Sequence, residues 1–472
     1  MNTHIEQALY NFRVNGGRYA RTERYYRGDH ELAFATEKFA NTFGSLFREF
    51  ALNLCPAVCD AIRDKLKIEG FSVMERRHPD GNERNAFEKG RRQDAGVPTI
   101  WHRNRMDIRA GEIHKEAVKN GDAYLIVWPD ADGNALMYPN TASSITVEYD
   151  EELPGKMIWA AKFWRTRDKF TRLNIFYPDR IERYITAKPG EGILPDAKEF
   201  IPFMGVSSPR VGSPHVSKGS LLVQVADRYG NMSNTGDANS KIRTQHSAIE
   251  NPFGVVPVFH FANNASIGTF GRSELEDAIP VQDGMNKSVL DMLVAMEFCS
   301  YRQRWAAGIE IEYDAEGNPI APFKAGVDHL WLTENKDARF GDFATASLDQ
   351  FLKVKDGFRI DIASVTGTPL YYLLPHGRGF ASGEAMRKAE TRFIAKVRDR
   401  QTSFGQTWAD AMQFALKIEG REDAILKTKW EDAAQLTEKE MLENILLKKE
   451  IGLSSSEALK EAGYSLGVVA DE

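Results

Sequence analysis

Residues Ser273–Phe298 read SELEDAIPVQDGMNKSVLDMLVAMEF. Met285, Val289, Met292, Leu293 and Met296 recur at helical spacing, and Leu290, Val294 and Phe298 widen the stripe. Ser273 with Glu276 has the form of a capping box before a long helix. A helix this broadly apolar needs cover on more than one side. A second helix is predicted over residues 347–365, with Phe351, Val354, Phe358, Ile362 and Val365 on one face, and Thr366-Gly-Thr-Pro369 ends it. Between the two, residues 305–331 read as short strands around a turn at Asp314-Ala-Glu-Gly-Asn318.

Upstream, the period changes twice. Residues 1 to about 120 read as mainly helical. The apolar stretch from Phe43 to Leu66 has a helix beginning or kinking at Pro56, a polar turn region covers residues 77–97, and a helix from about Thr99 ends at Gly121. Alternation then takes over. Ala123–Trp128 and Ala135–Tyr138 flank a turn, and strands follow at 144–149, 156–164, 172–176 and 180–185. Residues 187–250 are rich in Gly, Ser, Pro and Asn and are expected to form long loops before Asn251–Phe261 closes the β-rich region. Downstream of the helix pair, a linker at 370–381 precedes the strongest helical pattern in the chain, Ser382 to about Glu419. Helices at 436–451 and after Ser456 end the sequence. The fold class expected is α+β.

The 472 residues carry 61 Lys and Arg against 67 Asp and Glu, a formal net charge of −6. Tight nucleic-acid binders carry a basic excess, because neutralising phosphates supplies most non-specific affinity. This balance disfavours a DNA clamp but not a protein that DNA slides past. The imbalance is concentrated at the end of the chain, where residues 421–472 hold 12 acidic and 7 basic side chains. No apolar run has the length of roughly 18 residues that a membrane helix needs, and the N-terminus lacks the apolar core of a secretion signal. Three cysteines (Cys55, Cys59 and Cys299) are too few for a disulfide framework and fit a reducing compartment.

Motifs for catalysis are missing. There is no GxxxxGK[ST] loop, no HExxH and no GxSxG elbow. Gly377-Arg-Gly379 with Gly383 has the wrong spacing for a dinucleotide loop. Asp130, Asp132 and Gly133, like Asp314, Glu316 and Gly317, lack the full calcium-loop pattern and read as hairpin turns. Cys55 and Cys59 have no partner set for a metal, and His102 and His114 carry no evident role. Neither a catalytic residue, a metal nor a cofactor is expected. One charged pattern stands out: Lys388, Arg392, Lys396 and Arg400 repeat every four residues. It reads either as a solvated face or as a surface meeting DNA or an acidic neighbouring subunit.

Taken in order, several segments resemble the portal (head-to-tail connector) proteins of siphovirus-type tailed phages. They are Tyr25-Tyr-Arg-Gly-Asp29, Lys67-Ile-Glu-Gly-Phe71 with its preceding helix, Gly121-Asp-Ala-Tyr124 and Asn251-Pro-Phe-Gly-Val-Val-Pro257 with Phe259 and Asn263. Then come Ser273-Glu-Leu275, Asp283-Gly-Met-Asn286, Thr366-Gly-Thr-Pro369, Ser382-Gly-Glu-Ala-Met386, Trp430-Glu-Asp432, Gly452-Leu-Ser-Ser-Ser456 and Glu461-Ala-Gly-Tyr464.

The resemblance implies a portal fold. Residues 1–270 would form a wing, helical to 120 and β-rich from 121. Residues 271–308 and 347–366 would be two stem helices and 309–346 a small α/β clip. Residues 367–381 would be a tunnel loop, 382–420 a long wing helix and 421–472 a helical crown. It implies a ring, usually of twelve copies, at one capsid vertex of the virion, assembled in the host cytoplasm. Double-stranded DNA would pass through with weak, non-specific contact. The implied partners are terminase, head-completion and adaptor proteins, and major capsid and scaffolding proteins, with no membrane. Leu370, Tyr371, Tyr372, His376 and Arg378 would approach DNA. Met285, Val289, Met292, Met296, Phe351 and Phe358 would pack between subunits. The alternatives are a minor head or adaptor protein of the same particle, and a DNA-processing nuclease, for which no carboxylate spacing speaks.

Overall fold

The computed structural model describes residues 3–74, 96–190, 194–203, 248–266, 269–300, 304–309, 311–320, 335–342, 349–374, 383–421, 425–434, 438–452 and 454. In chain order, helices α1 (Thr3–Arg27), α2 (Glu37–Phe50) and α3 (Cys55–Arg63) precede strand β1 (Ile68–Met74). Helices α4 (Gly96–Arg103) and α5 (Met106–Asn120) lead into β2 (Asp122–Pro129), β3 (Ala135–Thr141) and β4 (Ile145–Tyr149). Next are β5 (Met157–Arg165), β6 (Thr171–Phe176), β7 (Arg180–Thr186), β8 (Phe200–Pro202), β9 (Ala248–Glu250) and β10 (Val258–Ala262). Helix α6 (Ala278–Ser300) is followed by β11 (Arg304–Ala307), β12 (Glu312–Tyr313), β13 (Pro319–Ile320) and β14 (Arg339–Asp342). Helix α7 (Asp349–Thr366), helix α8 (Gly383–Ile418), β15 (Ile425–Trp430) and α9 (Glu438–Glu450) complete the order. Helix and sheet occupy separate stretches, as an α+β fold requires.

The chain divides into two units. The first comprises Met1–Glu23, Pro56–Glu276 and Gly367–Glu472. Its central layer is an antiparallel sheet ordered β4-β5-β6-β7-β8, with β9 also pairing β7. Alternation puts Trp159, Ala161, Leu173 and Ile175 on one face, where Ile5, Ala8, Leu9 and Phe12 of α1 cover them. Ala160, Phe176 and Ile181 on the other face pack against Tyr124, Ile126 and Val258 of a second sheet, ordered β10-β2-β3. In β2 the first six residues are all buried, which explains its unbroken apolar run. The third sheet is a ribbon of β1 and β15, whose partners Met74 and Ile425 lie far apart in sequence.

The second unit comprises Arg24–Cys55 and Asp277–Thr366. It holds α2, α6, α7 and two small antiparallel pairs, β11 with β14 and β12 with β13. The turn between β12 and β13 is closed by Asp314, whose Oδ1 accepts from Glu316 N at 3.1 Å and Asn318 N at 2.7 Å. Asp130 does the same in the β2–β3 turn, accepting from Asp132 N at 2.9 Å and Asn134 N at 2.8 Å. Both calcium-like stretches are therefore turns whose first carboxylate is spent on its own backbone.

Two boundaries differ from the sequence expectation, and a third falls where Pro56 marks a helix start. The apolar stretch 43–66 is broken at 51–54, where Asn53 accepts from Cys55 N at 3.1 Å and donates to Tyr26 O at 3.1 Å. Pro56 then sits in the first turn of α3, where its missing N–H costs nothing. The predicted helix 99–120 is two helices, with Arg105 between them at φ 54°. Asn104 holds that break, donating to Ala135 O at 2.9 Å and accepting from Met137 N at 2.9 Å. The long helix begins at Ala278 rather than Ser273 and ends at Ser300, with 304–307 a strand. Ser273 caps nothing on it: its hydroxyl donates to Lys119 O and accepts from Leu275 N. Starting at Ala278 also puts Pro280 in the first helical turn, where it is tolerated.

Candidate functional site

In the second unit, α6 and α7 pack together, and Gly284 makes the close approach possible. A Cβ at that position would meet Cε1 of Phe358 at 3.0 Å. The stripe on α6 has two different fates. Met285 and Val289 are buried. Met292 is half-buried, and Met296 is 43% exposed. On α7, Ile362 is buried, Phe351 and Phe358 are half-buried, and Leu352, Val354, Ile360 and Val365 stay exposed. Ile360, at 52% exposure, is the most open of these. A groove of about 440 Å³ runs beside Gly284, lined by Phe34, Pro280, Val281, Phe358 and Val365.

The motif residues meet in polar junctions that the linear sequence does not display. In the second unit the Tyr25 hydroxyl donates to Asp283 Oδ1 at 2.8 Å, and Asn286 Nδ2 lies 2.6 Å from His30 Nδ1. Tyr25 stacks on His30 with centroids 4.9 Å apart, so Tyr25–Asp29 and Asp283–Asn286 form one knot. Burial and the nearby Asp283 charge push the Cys55 thiol up to about 12, which leaves it an inert, buried group.

In the first unit the junction is Asp122, which is fully buried. Its carboxylate accepts from Tyr19 Oη at 2.6 Å, Arg18 Nη2 at 2.8 Å, Gly271 N at 2.7 Å and His260 Nε2 at 2.8 Å. His260 Nδ1 meets the Tyr149 hydroxyl at 2.8 Å. Gly121 and Gly271 lie back to back beside it, and a Cβ on Gly121 would meet Gly271 O at 2.7 Å. Asn263 N donates to Gly121 O at 2.7 Å, and Arg272 N donates to Asn263 O at 2.6 Å. Arg18, Tyr19, His260 and Gly271 thus close around one buried carboxylate, while Asn263 ties Gly121 to Arg272. An Asp at the head of an apolar strand was the available sign of it.

The basic repeat on α8 is not a uniform surface. Arg400 is buried, its Nε donating to Asn263 Oδ1 at 2.6 Å and its Nη2 pairing with Glu274 at 3.1 Å. Lys396 pairs with the same carboxylate. Burial raises the Glu274 pKa, but the two cations outweigh it and hold the group below its ordinary value. Arg392 is exposed, and the side chain of Lys388 lies outside the described residues. Two of the four cations therefore serve an internal ion pair.

Leu370, Tyr371 and Tyr372 form a single 3₁₀ turn after Pro369. The two tyrosines stack at 4.6 Å, and Tyr372 leans on Phe393 of α8 at 6.0 Å while remaining 38% exposed. His376 and Arg378 fall outside the described residues. His114, given no role from sequence, is a core residue: Nδ1 faces Leu66 O at 3.0 Å and Nε2 accepts from Trp408 Nε1 at 2.8 Å. Complete burial lowers it to about 4. Among the described residues no group of three His, Cys, Asp or Glu side chains is placed to hold a metal. No described helix is long and apolar enough to cross a membrane.

The family model for phage portal proteins of the SPP1 Gp6-like type matches residues 82–461. A portal protein of Mycobacterium phage L5 is 31% identical over 170 residues, covering 35% of this chain and 35% of that protein. A portal protein of Mycobacterium phage D29 is 29% identical over 170 residues with the same coverage, 35% of each chain. The similarity thus spans about a third of the length of these curated relatives. With most of its length inside the family match, the chain belongs to the SPP1 Gp6-like family of phage portal proteins.

Proposed function

We propose that this chain is the repeating subunit of a portal ring, in which identical copies surround a channel for double-stranded DNA at one capsid vertex. The family it belongs to is structural rather than enzymatic. The observation that carries the ring is the set of exposed apolar residues on the helix pair: Met296 on α6, and on α7 Val354 and Val365 to one side with Leu352 and Ile360 to another. Exposed apolar residues on two neighbouring helices suit a heterologous contact, in which a copy on one side meets a different patch on the next. The stem packing then rests on Met292, Met296, Phe351 and these exposed residues of α7, where methionines let contacts re-form after small rotations.

The rest follows from that arrangement. Residues 309–346 form the clip offered to terminase during packaging and to head-completion and adaptor proteins afterwards. Capsid and scaffolding proteins meet the particle side, within the virion and, during assembly, the host cytoplasm. Residues 367–381 would face the duplex, with Leu370, Tyr371, Tyr372, His376 and Arg378 touching it weakly; Lys388 and Arg392 remain candidates for DNA or a neighbouring subunit. A net charge of −6 keeps counterion release small, so DNA is not trapped. Negative-stain images of the purified protein should show rings with an axial hole; compact particles without one would favour a minor head or adaptor protein. Deleting Leu370–Arg378 should spare the rings but impair packaging or retention, and full-length packaging by that variant would remove the loop's role.

A further inference from the structure

The six-stranded sheet carries a cationic cluster with no counter-charge. Beyond the buried row of Ala160 and Phe176, the next cross-strand row on the same face is Lys162, Asn174 and Arg183. The row after it is Trp164, Arg172 and Ile185. The Arg172 guanidinium lies 3.7 Å from the Phe203 centroid and 5.2 Å from that of Trp164. Arg183 lies 5.7 Å from Phe203, and Lys162 lies 5.5 Å from Trp164. Two aromatic rings thus hold three cations across adjacent strands, which run about 4.8 Å apart.

No carboxylate pairs with these cations among the described residues. The acidic side chains of the neighbouring strands are engaged elsewhere. Glu182 stands opposite Ile175 on the other face and accepts from Tyr184 Oη at 2.8 Å. Glu148 takes Asn11 of α1 at 3.3 Å. Arg172 Nε, Arg183 Nε and Asn174 Oδ1 are buried without a hydrogen-bond partner. Burial lowers the Arg172 pKa, and the Arg183 charge lowers it further; burial likewise lowers Arg183 and Lys162. Guanidinium groups do not deprotonate near neutral pH, so the repulsion persists until an anion offsets it. Buried polar atoms left unpartnered in this way call for a missing group.

We propose that Arg172 and Arg183, flanked by Lys162, form a binding site for a phosphoryl oxyanion. Phe203 covers one face of Arg172 and leaves its edge available, and a guanidinium edge matches two oxygens of an anion. Two such edges together carry two positive charges, more than the single charge of one carboxylate offsets. A tetrahedral phosphoryl group accepts from both, and its double charge matches the two guanidiniums. Inorganic phosphate, a phosphomonoester and a nucleic-acid backbone share this chemistry.

The test is thermal unfolding of the full chain against inorganic phosphate at constant ionic strength, with chloride and glutamate as comparison anions. Wild type should show a saturable rise in its midpoint with phosphate alone. Arg183→Gln should fold without loss of stability, because a like charge is gone, and bind phosphate about tenfold more weakly or worse. Should Arg183→Gln unfold, Arg172→Gln and Arg183→Lys serve, the latter keeping charge without the fork. A labelled short DNA duplex, followed by anisotropy, identifies the source. Binding lost in the Arg variants points to backbone phosphate, and phosphate binding without duplex binding points to a free phosphoryl ligand. A response absent from wild type, equal in the variants, or stronger with glutamate overturns the assignment.

Discussion

The ring of Phe358 on α7 lies against Gly284 on α6, so closely that a methyl group there would meet Cε1 at 3.0 Å. This pair fixes how near the two helices approach, and through that spacing it sets which apolar side chains stay outside. Gly284→Ala should force the ring to move and cost about 1–3 kcal/mol, as overpacking does. Chemical denaturation reads the loss. Pairing the substitution with Phe358→Leu should recover part of the stability, and an additive pair would show that the contact is slack.

Asp122 is the corresponding keystone of the first unit. Asp122→Asn keeps its shape but removes the charge facing Arg18 and puts an N–H where the carboxylate accepts four donors. Breaking a buried, hydrogen-bonded charge in this way should cost about 3 kcal/mol. Equilibrium unfolding of the variant measures it, and an unchanged midpoint would mean the network contributes nothing.

His114 gives the fold an acid limit. Its folded value of about 4 lies below the ordinary 6.5, so between them the unfolded chain binds a proton that the native chain does not. Stability must therefore fall as pH drops from about 6.5 toward 4, by roughly 3 kcal/mol over the whole window. Unfolding curves across that range should show the slope, and His114→Gln should flatten it.

The breaks in the helices were hidden for a physical reason. Asn53 and Asn104 make them with side-chain bonds to backbone groups 27 and 31 residues away, which no local periodicity reports. The strands β4 to β7 were legible because each alternates and each ends in a turn. The ribbon of β1 and β15 was not, since Ile68 finds its partner at Trp430, far along the chain. The start of α6 could have been read better, because Pro280 allows a helix to begin just before it but not seven residues earlier. Of the site, the greasy flanks were visible; that Met285 and Val289 would turn inward was not, because helical spacing does not say which side a neighbour covers.

The exposed apolar residues of α6 and α7 carry the account, and native mass spectrometry tests it most directly. The wild-type chain of 53.2 kDa should assemble into a single closed multiple of that mass under assembly conditions. Val354→Asp with Ile360→Asp should give a folded monomer, because burying carboxylates in those contacts is prohibitive. A wild-type chain that stays monomeric throughout, or a double variant that closes into the same assembly, would contradict it.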